Sequence, residues 1–409
     1  MLSPIPFDAS DEILHALAAV GRTEDIAFSP DNRRIAVAGF TKNCIAIIDI
    51  ELRFEPEPTA RLTGLTELRS DGLARPHGLE FLDDHLLAVA NRSGGVMILP
   101  VPPPVDGVAR TTVEPVMVIG SDDTPVASPG SLTVEQHGPG LFELLVCNNY
   151  VHHVTRHMVD SRALRVVSAE VLLSEGLSIP DGIAISNDHR WLAVSNHRTH
   201  SALIFENTAD LGPNTPAVGE LHDVTYPHGM RFTADDSHLI VADGGAPHVV
   251  VFERGEHDWR GHRTPTATIR VMDDHTFRLG NTNPQEGGPK GLDIDSTGRI
   301  VAMTAEHVPL QLLVLTAAPA LRAAEANSTA TVEAMRSTLI RALDRPRALE
   351  QRANQLEREL AGQRKRIEQL ERVVKRTRAT VFEQQKLLEQ AQLGATETGA
   401  SGRRDTVGS

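Results

Sequence analysis

Four Pro-x-Gly triplets begin at Pro76, Pro180, Pro227 and Pro289, and Thr23-Glu24-Asp25 and Pro129-Gly130-Ser131 occupy the same place in two further segments. The central residues of the six are Glu24, His77, Gly130, Asp181, His228 and Lys290. Each segment then closes on a second position, which reads in turn Gly39, Asn91, Asn148, Asn196, Asp243 and Thr304. If both sets converge, imidazole, carboxylate and amide groups surround one axis and could bind a single divalent cation. Carboxylate and amide oxygens suit calcium, magnesium or manganese, whereas imidazole shifts the preference toward zinc. A cation there would polarise an ester carbonyl and lower the pKa of its bound water. The competing reading is a polar ring that simply faces water. Lys290 favours that reading, because an ammonium repels a cation.

The elements that must bring these residues together repeat. TEDIAFSPDNRRIAVAG, PHGLEFLDDHLLAVAN, PGSLTVEQHGPGLFELLVCN, PDGIAISNDHRWLAVSN, PHGMRFTADDSHLIVAD and PKGLDIDSTGRIVAMT align on one another, in steps of 53, 53, 51, 47 and 62 residues. Each unit reads as a strand, a polar turn and a second strand. A third strand follows, as in CIAIID or SALIFE, and then a weaker fourth, as in ARLTGL or ATIRVM. Four strands per repeat of roughly 50 residues mark a propeller blade. The expected fold is therefore all-β, a six-bladed β-propeller over residues 1–317. The innermost strand of each blade lines the channel and the second strand returns to the same face, which places both polar sets at one mouth. The sixth unit lacks a fourth strand, so an N-terminal strand is expected to close the ring. Residues 12–20 are the segment assigned to that role, although Ile13, Leu14 and Leu17 also fit a short helix. An insertion between His257 and Gly288 forms a long loop over one face, of the kind that often carries specificity.

The last part of the chain has a different pattern. Residues 318–343 read as a helical linker, 344–391 as an α-helical coiled coil and 392–409 as a disordered tail rich in Gly, Thr and Ser. Asp344 can cap the coil helix, and a 4-3 spacing runs from Leu349 to Leu388. Ile367, Val374 and Val381 fall at a positions with Leu356 and Leu370 at d, which favours a parallel homodimer over a single helix packed on the propeller.

The net charge is −14, yet from Asp344 onward 14 basic residues face 10 acidic ones, leaving 26 against 44 in the body. A body so acidic would repel a phosphate backbone, which argues against nucleic acid as a partner. No apolar run of about 18 residues predicts a transmembrane helix. The N-terminal segment, with Asp8, Asp11 and Glu12, lacks the pattern of a secretory signal. Cys44 and Cys147 cannot make a disulfide framework and read as small buried hydrophobes, which points to the cytoplasm. His152, His153 and His157 lie on a strand pattern rather than at helical metal spacing.

Strand ends such as Ala88–Asn91, Ala193–Asn196 and Leu145–Asn148, with turns such as FSPDNRRIAVAG, resemble the YVTN-type propellers over roughly residues 12–317. Pro180-Asp181-Gly182 and Glu24 also resemble the regucalcin and gluconolactonase family of six-bladed lactonases. That resemblance implies a metal site at Glu24, Asp181 and His228 with Asn148, although the family has asparagine at the place of Asp181 and aspartate at the place of His228. It further implies Asp243 or His77 as general base. Two functions follow. The leading one is a cytoplasmic scaffold, paired through residues 344–391, that takes a protein, small-molecule or carbohydrate ligand at a mouth formed by His77, Asn91, Asn148, Asn196, Asp243 and Lys290. The alternative is a metal-dependent lactone or ester hydrolase.

Overall fold

The computed structural model describes residues 2–120, 125–256, 258–281 and 285–316, so the expected linker, coiled coil and tail lie outside the described residues. Among the described residues, six sheets surround a central channel. Their innermost strands are Thr23–Phe28, Pro76–Asp83, Pro129–Gly138, Pro180–Ile185, Pro227–Phe232 and Pro289–Ile294. Each pairs antiparallel with a second strand, Arg34–Gly39, Leu86–Asn91, Leu141–Asn148, Trp191–Asn196, His238–Asp243 or Ile300–Ala305. Those second strands are apolar on both faces because both are covered by neighbouring blades, and Ile35, Ala36, Val37 and Ala38 are all fully buried. The core therefore lies between the blades as separate clusters rather than on the axis. Among the described residues, no helix is long and apolar enough to cross a membrane.

The glycine of each Pro-x-Gly triplet permits close approach rather than shaping a turn. A Cβ on Gly182 would sit 2.0 Å from the His228 carbonyl oxygen, and one on Gly78 would sit 2.5 Å from that of Gly130. The innermost strands can therefore crowd the axis, which brings the central residues of successive triplets within reach of one another.

A strand from the N-terminus closes the ring, but residues 12–20 do not supply it. Leu2–Pro4 pairs antiparallel with Val308–Leu315, matching Leu2 with Leu315 and Pro4 with Leu313. Residues 12–20 instead contribute to helix α1 (Asp11–Ala18). Ser10 caps α1 by accepting the Ile13 N–H at 3.3 Å, and Asp11 and Glu12 complement the helix dipole in the first turn. Ile13 and Leu17, one turn apart, are buried against blade 1, so helical rather than alternating periodicity prevails here. Pro4 is tolerated because its strand is an edge. Removing residues 1–6 takes away Leu2 and Ile5, both buried, and leaves the Val308–Leu315 edge unpaired. At roughly 1.5–3 kcal/mol per buried aliphatic side chain, the melting temperature should fall by at least roughly 5 °C. An unchanged value in thermal denaturation would show that the closing strand contributes nothing.

The long insertion divides between two places. Gly261–Arg263 adds a fifth, parallel strand to blade 4, beside Gly219–Leu221. Ala267–Arg270 is the outer strand of blade 5, and the chain then passes over the mouth through helix α2 (Asp274–Gly280). There Gly287 and Gly288 donate their N–H groups to the Gly244 carbonyl, at 3.0 and 2.9 Å. A Cβ on Gly288 would lie 2.2 Å from two carbonyl oxygens. This contact fixes the preceding residue, Glu286, at the mouth.

Candidate functional site

The central residues of the triplets meet in a closed circuit. Lys290 Nζ lies 3.1 Å from Glu24 Oε2, which lies 3.8 Å from His77 Nε2. His77 Nε2 is 3.9 Å from Asp181 Oδ1, and Asp181 Oδ2 accepts a 2.6 Å bond from His228 Nδ1. Glu286 completes the circuit, 3.7 Å from both His228 Nε2 and Lys290 Nζ. Gly130 leaves a gap that Asn149 fills, donating from Nδ2 to Asp181 Oδ1 at 2.7 Å. Around this ring Arg22 pairs with Glu24 and Glu306, Arg92 with His77 and Asp181, and His197 Nε2 with Glu286 Oε1 at 3.0 Å.

The charges set one another. Burial would raise the Glu24 carboxyl, yet Lys290 and the other basic groups bring it down to about 2. Asp181 is likewise held well below the usual range against its burial by the histidines and Arg92. Burial would discharge His228, but Asp181 and Glu286 push its pKa up to about 10, so it is an imidazolium at neutral pH. His77 goes the other way. Burial, reinforced by Arg92, lowers it to about 3 and keeps it neutral. Lys290, although buried, is raised by Glu24 and the neighbouring carboxylates. Arg22, Arg92, Lys290 and His228 thus balance Glu24, Asp181, Glu286 and Glu306. His77 Nδ1, Arg92 Nη1, His197 Nδ1 and His228 Nε2 have no hydrogen-bond partner among the described residues.

Of the expected site residues, the structure brings together Glu24, His77, Asp181, His228 and Lys290. It does not bring in the second set. Asn91 Oδ1 accepts the Ala74 N–H at 3.0 Å, and Asn196 Oδ1 accepts that of Ser178 at 2.6 Å. Asn148 is fully buried, accepting from Ala127 N at 2.7 Å and donating to the Val146 carbonyl and Thr155 Oγ1. Its amide is engaged in the fold and is not placed to ligate a cation beside Asp181. Asp243 accepts the Gly245 N–H at 3.1 Å, and burial raises its pKa to about 6. These side chains fasten the loops that lead into the innermost strands. The mouth is reached one position later in the first five blades, at Phe40, Arg92, Asn149, His197 and Gly244, and two positions later, at Glu306, in the sixth. Alternation along a strand makes that single step a change of face. In the first five blades the second set is the last paired position and its successor faces the mouth; in the sixth, Ala305 rather than Thr304 pairs with Pro289. Glu286 lay in the insertion and had no repeat signal.

Among the described residues, three groups of side chains have ligand atoms close enough for a metal ion: Asp181, His197 and His228; Glu220, His222 and His262; and Glu135, His137 and Glu143. The set Glu24, Asp181, His228 and Asn148 does not fit a calcium ion. Such an ion takes six to eight oxygen ligands, whereas Glu24 is held by Lys290 and Arg22, Asp181 is bonded to an imidazolium and the Asn148 amide is engaged elsewhere. A groove of about 510 Å³ on the flank of blade 1, lined by Ala16, Lys42, Glu67 and Arg110, lies apart from this chemistry. Its Glu67 is already paired with Arg69 and Arg110.

No protein-family model matches the chain, and neither does any curated protein. Among solved structures, the calcium structure of a Trichoderma reesei carbohydrate-active enzyme of family AA12 aligns with a TM-score of 0.51 at 12% identity, over 73% of this chain and 93% of its own. The likeness is one of fold. A Xanthomonas campestris gluconolactonase aligns at 0.47 and 14% identity, over 72% of this chain and 86% of its own.

Proposed function

We propose that the propeller mouth is the active site of a hydrolase acting on sugar-type lactones or related esters without the calcium set. The observation that carries this reading is a pair of carboxylate–histidine dyads whose rings meet edge to face. Asp181 holds His228 and Glu286 holds His197, with ring centroids 5.0 Å apart and planes at 78°. The dyads differ in what they can do. His228, kept cationic, offers Nε2–H as a donor. His197 donates Nε2–H to Glu286, which leaves the Nδ1 lone pair to accept a proton.

In this reading the ester carbonyl oxygen accepts from His228 Nε2–H and Arg92 Nη1–H, both of which flank Asp181. His197 Nδ1 takes the proton from the water as its oxygen bonds to the carbonyl carbon, and the ring C–O bond then breaks as His197 returns that proton to the leaving alkoxide. Mixed donors and acceptors with Tyr150 and Tyr226 beside Arg92 and His197 suit a polyhydroxylated substrate. The fold shared with a carbohydrate-active enzyme agrees with that class. The scaffold reading rests on pairing through residues 344–391, which lie outside the described residues.

A panel of five- and six-membered aldonolactones and simple lactones, followed by acid release with the full chain, tests the proposal. Turnover that persists after treatment with a strong chelator is the expected result. No turnover on any lactone, or turnover only when calcium is added back, would overturn it.

A further inference from the structure

A second place in the molecule, on the outer strands of blade 4 rather than at the mouth, is built for a metal ion. It arises from the fifth strand of blade 4. Trp259, fully buried, anchors the inserted segment in the core between blades 4 and 5, with its ring edge-on to Phe232 at 5.4 Å. A side chain at position 219 would strike the Trp259 carbonyl oxygen at 2.3 Å, so glycine there lets the two segments close. The Gly261 N–H then bonds to the Val218 carbonyl, and the His222 N–H to the Arg263 carbonyl, each at 2.9 Å. These bonds fix the parallel register in which Glu220 lies opposite His262.

That register brings three potential ligands together. Leu221 points inward and is fully buried. Glu220 and His222, on either side of it, share the outer face by the two-residue period of a strand. His262 joins them from the adjacent strand. His222 Nε2 and His262 Nδ1 are 3.0 Å apart, and Glu220 Oε2 lies 3.6 Å from the first and 3.9 Å from the second. The two rings stack at 5.2 Å with planes 24° apart. Zinc bound tetrahedrally at about 2.0–2.1 Å separates its ligand atoms by about 3.3 Å, and the three separations bracket that value. The other exposed group is less suited. In it Glu143 is already paired with Arg156 and His137, and Glu135 with His189.

We propose that Glu220, His222 and His262 bind a zinc-like divalent ion that clips the inserted strand onto blade 4. Two imidazoles and one carboxylate match the donors that zinc and its borderline neighbours prefer, and they leave a fourth position open. The ion ties a three-residue strand, paired over a single short ladder, to the body of the propeller. The mouth keeps its own chemistry, so this site is independent of the hydrolase reading.

Zinc binding to the chelator-treated full chain, measured by competition with a chromophoric chelator and by thermal shift, tests this. One bound zinc and a rise in melting temperature are expected. His222→Gln, at a half-buried position, and His262→Gln, at an exposed one, should keep the metal-free melting temperature and weaken zinc binding at least about 100-fold, more than loss of an outer partner does. His197→Gln, in the mouth group, should leave that zinc in place. Absence of zinc binding, or zinc lost in His197→Gln and retained in His222→Gln, would overturn the proposal.

Discussion

Replacing His228 with glutamine should lower kcat for lactone hydrolysis by about 10²–10³-fold, the range set by removing one donor to a developing oxyanion. The change in KM should be far smaller, because the charged donor matters most when the carbonyl oxygen becomes negative. In the proposed mechanism the same residue sets the alkaline limb. Asp181 and Glu286 push His228 up to about 10 against its burial, so the donor form persists through neutrality. The wild-type kcat should fall as the pH rises through that value, and the variant should lose this limb. Asp181→Asn removes the group that bonds His228 Nδ1 at 2.6 Å and should move the limb toward neutral pH. Steady-state profiles from pH 6 to 11 decide the matter. A limb unmoved by Asp181→Asn would separate His228 from the reaction.

Replacing Arg231 with methionine should destabilise the ring by roughly 3 kcal/mol, because it strands buried carboxylates without a partner. Below the mouth, Arg231 crosses the channel from blade 5 to reach Glu80 of blade 2 and Asp293 of blade 6, each at 2.7 Å. Asp25 lies in the same layer and accepts the Leu79 N–H at 3.0 Å and that of Ile26 at 2.9 Å. Burial raises Asp25 to about 7 and Glu80 to about 8, although Arg231 opposes both shifts. Acids raised in the folded state bind protons that the unfolded chain has released. Their stabilising contribution is complete below about pH 4 and is lost as the pH rises toward 7 and 8. Without Arg231 both groups rise further. The deficit of the variant should therefore be small at pH 5 and reach about 10 °C in melting temperature at pH 8. Adding Asp293→Asn should restore part of it. A deficit equal at both pH values would show that packing, rather than charge, makes the tie.

Much of the site was legible because the repeat carries it. The residue at the centre of each triplet occupies the same place in every blade, so the repeat alone assigns Glu24, His77, Asp181, His228 and Lys290 to one mouth. The second ring lies one residue further along in five blades and two residues further in the sixth. Asn148 and Asn149 are adjacent and equally polar, and local sequence does not say which one fastens its loop and which turns to Asp181. Residues 12–20 misled for a related reason. A short apolar segment can satisfy helical or strand periodicity, and Leu2–Pro4 is too short to announce itself as a strand.

By itself, the sequence determined the six units, their strands and the ring of central residues, since alternation and turn chemistry are local and repeat with the chain. Only the tertiary structure decided which segment closes the ring, that Glu286 enters the mouth to hold His197, that Arg231 ties blades 2, 5 and 6, and that His262 faces Glu220. Each of these pairs residues distant in sequence, and their meeting depends on where glycines let backbones approach and on which register the intervening hydrogen bonds fix. Those are properties of the closed ring, and no window of sequence contains them.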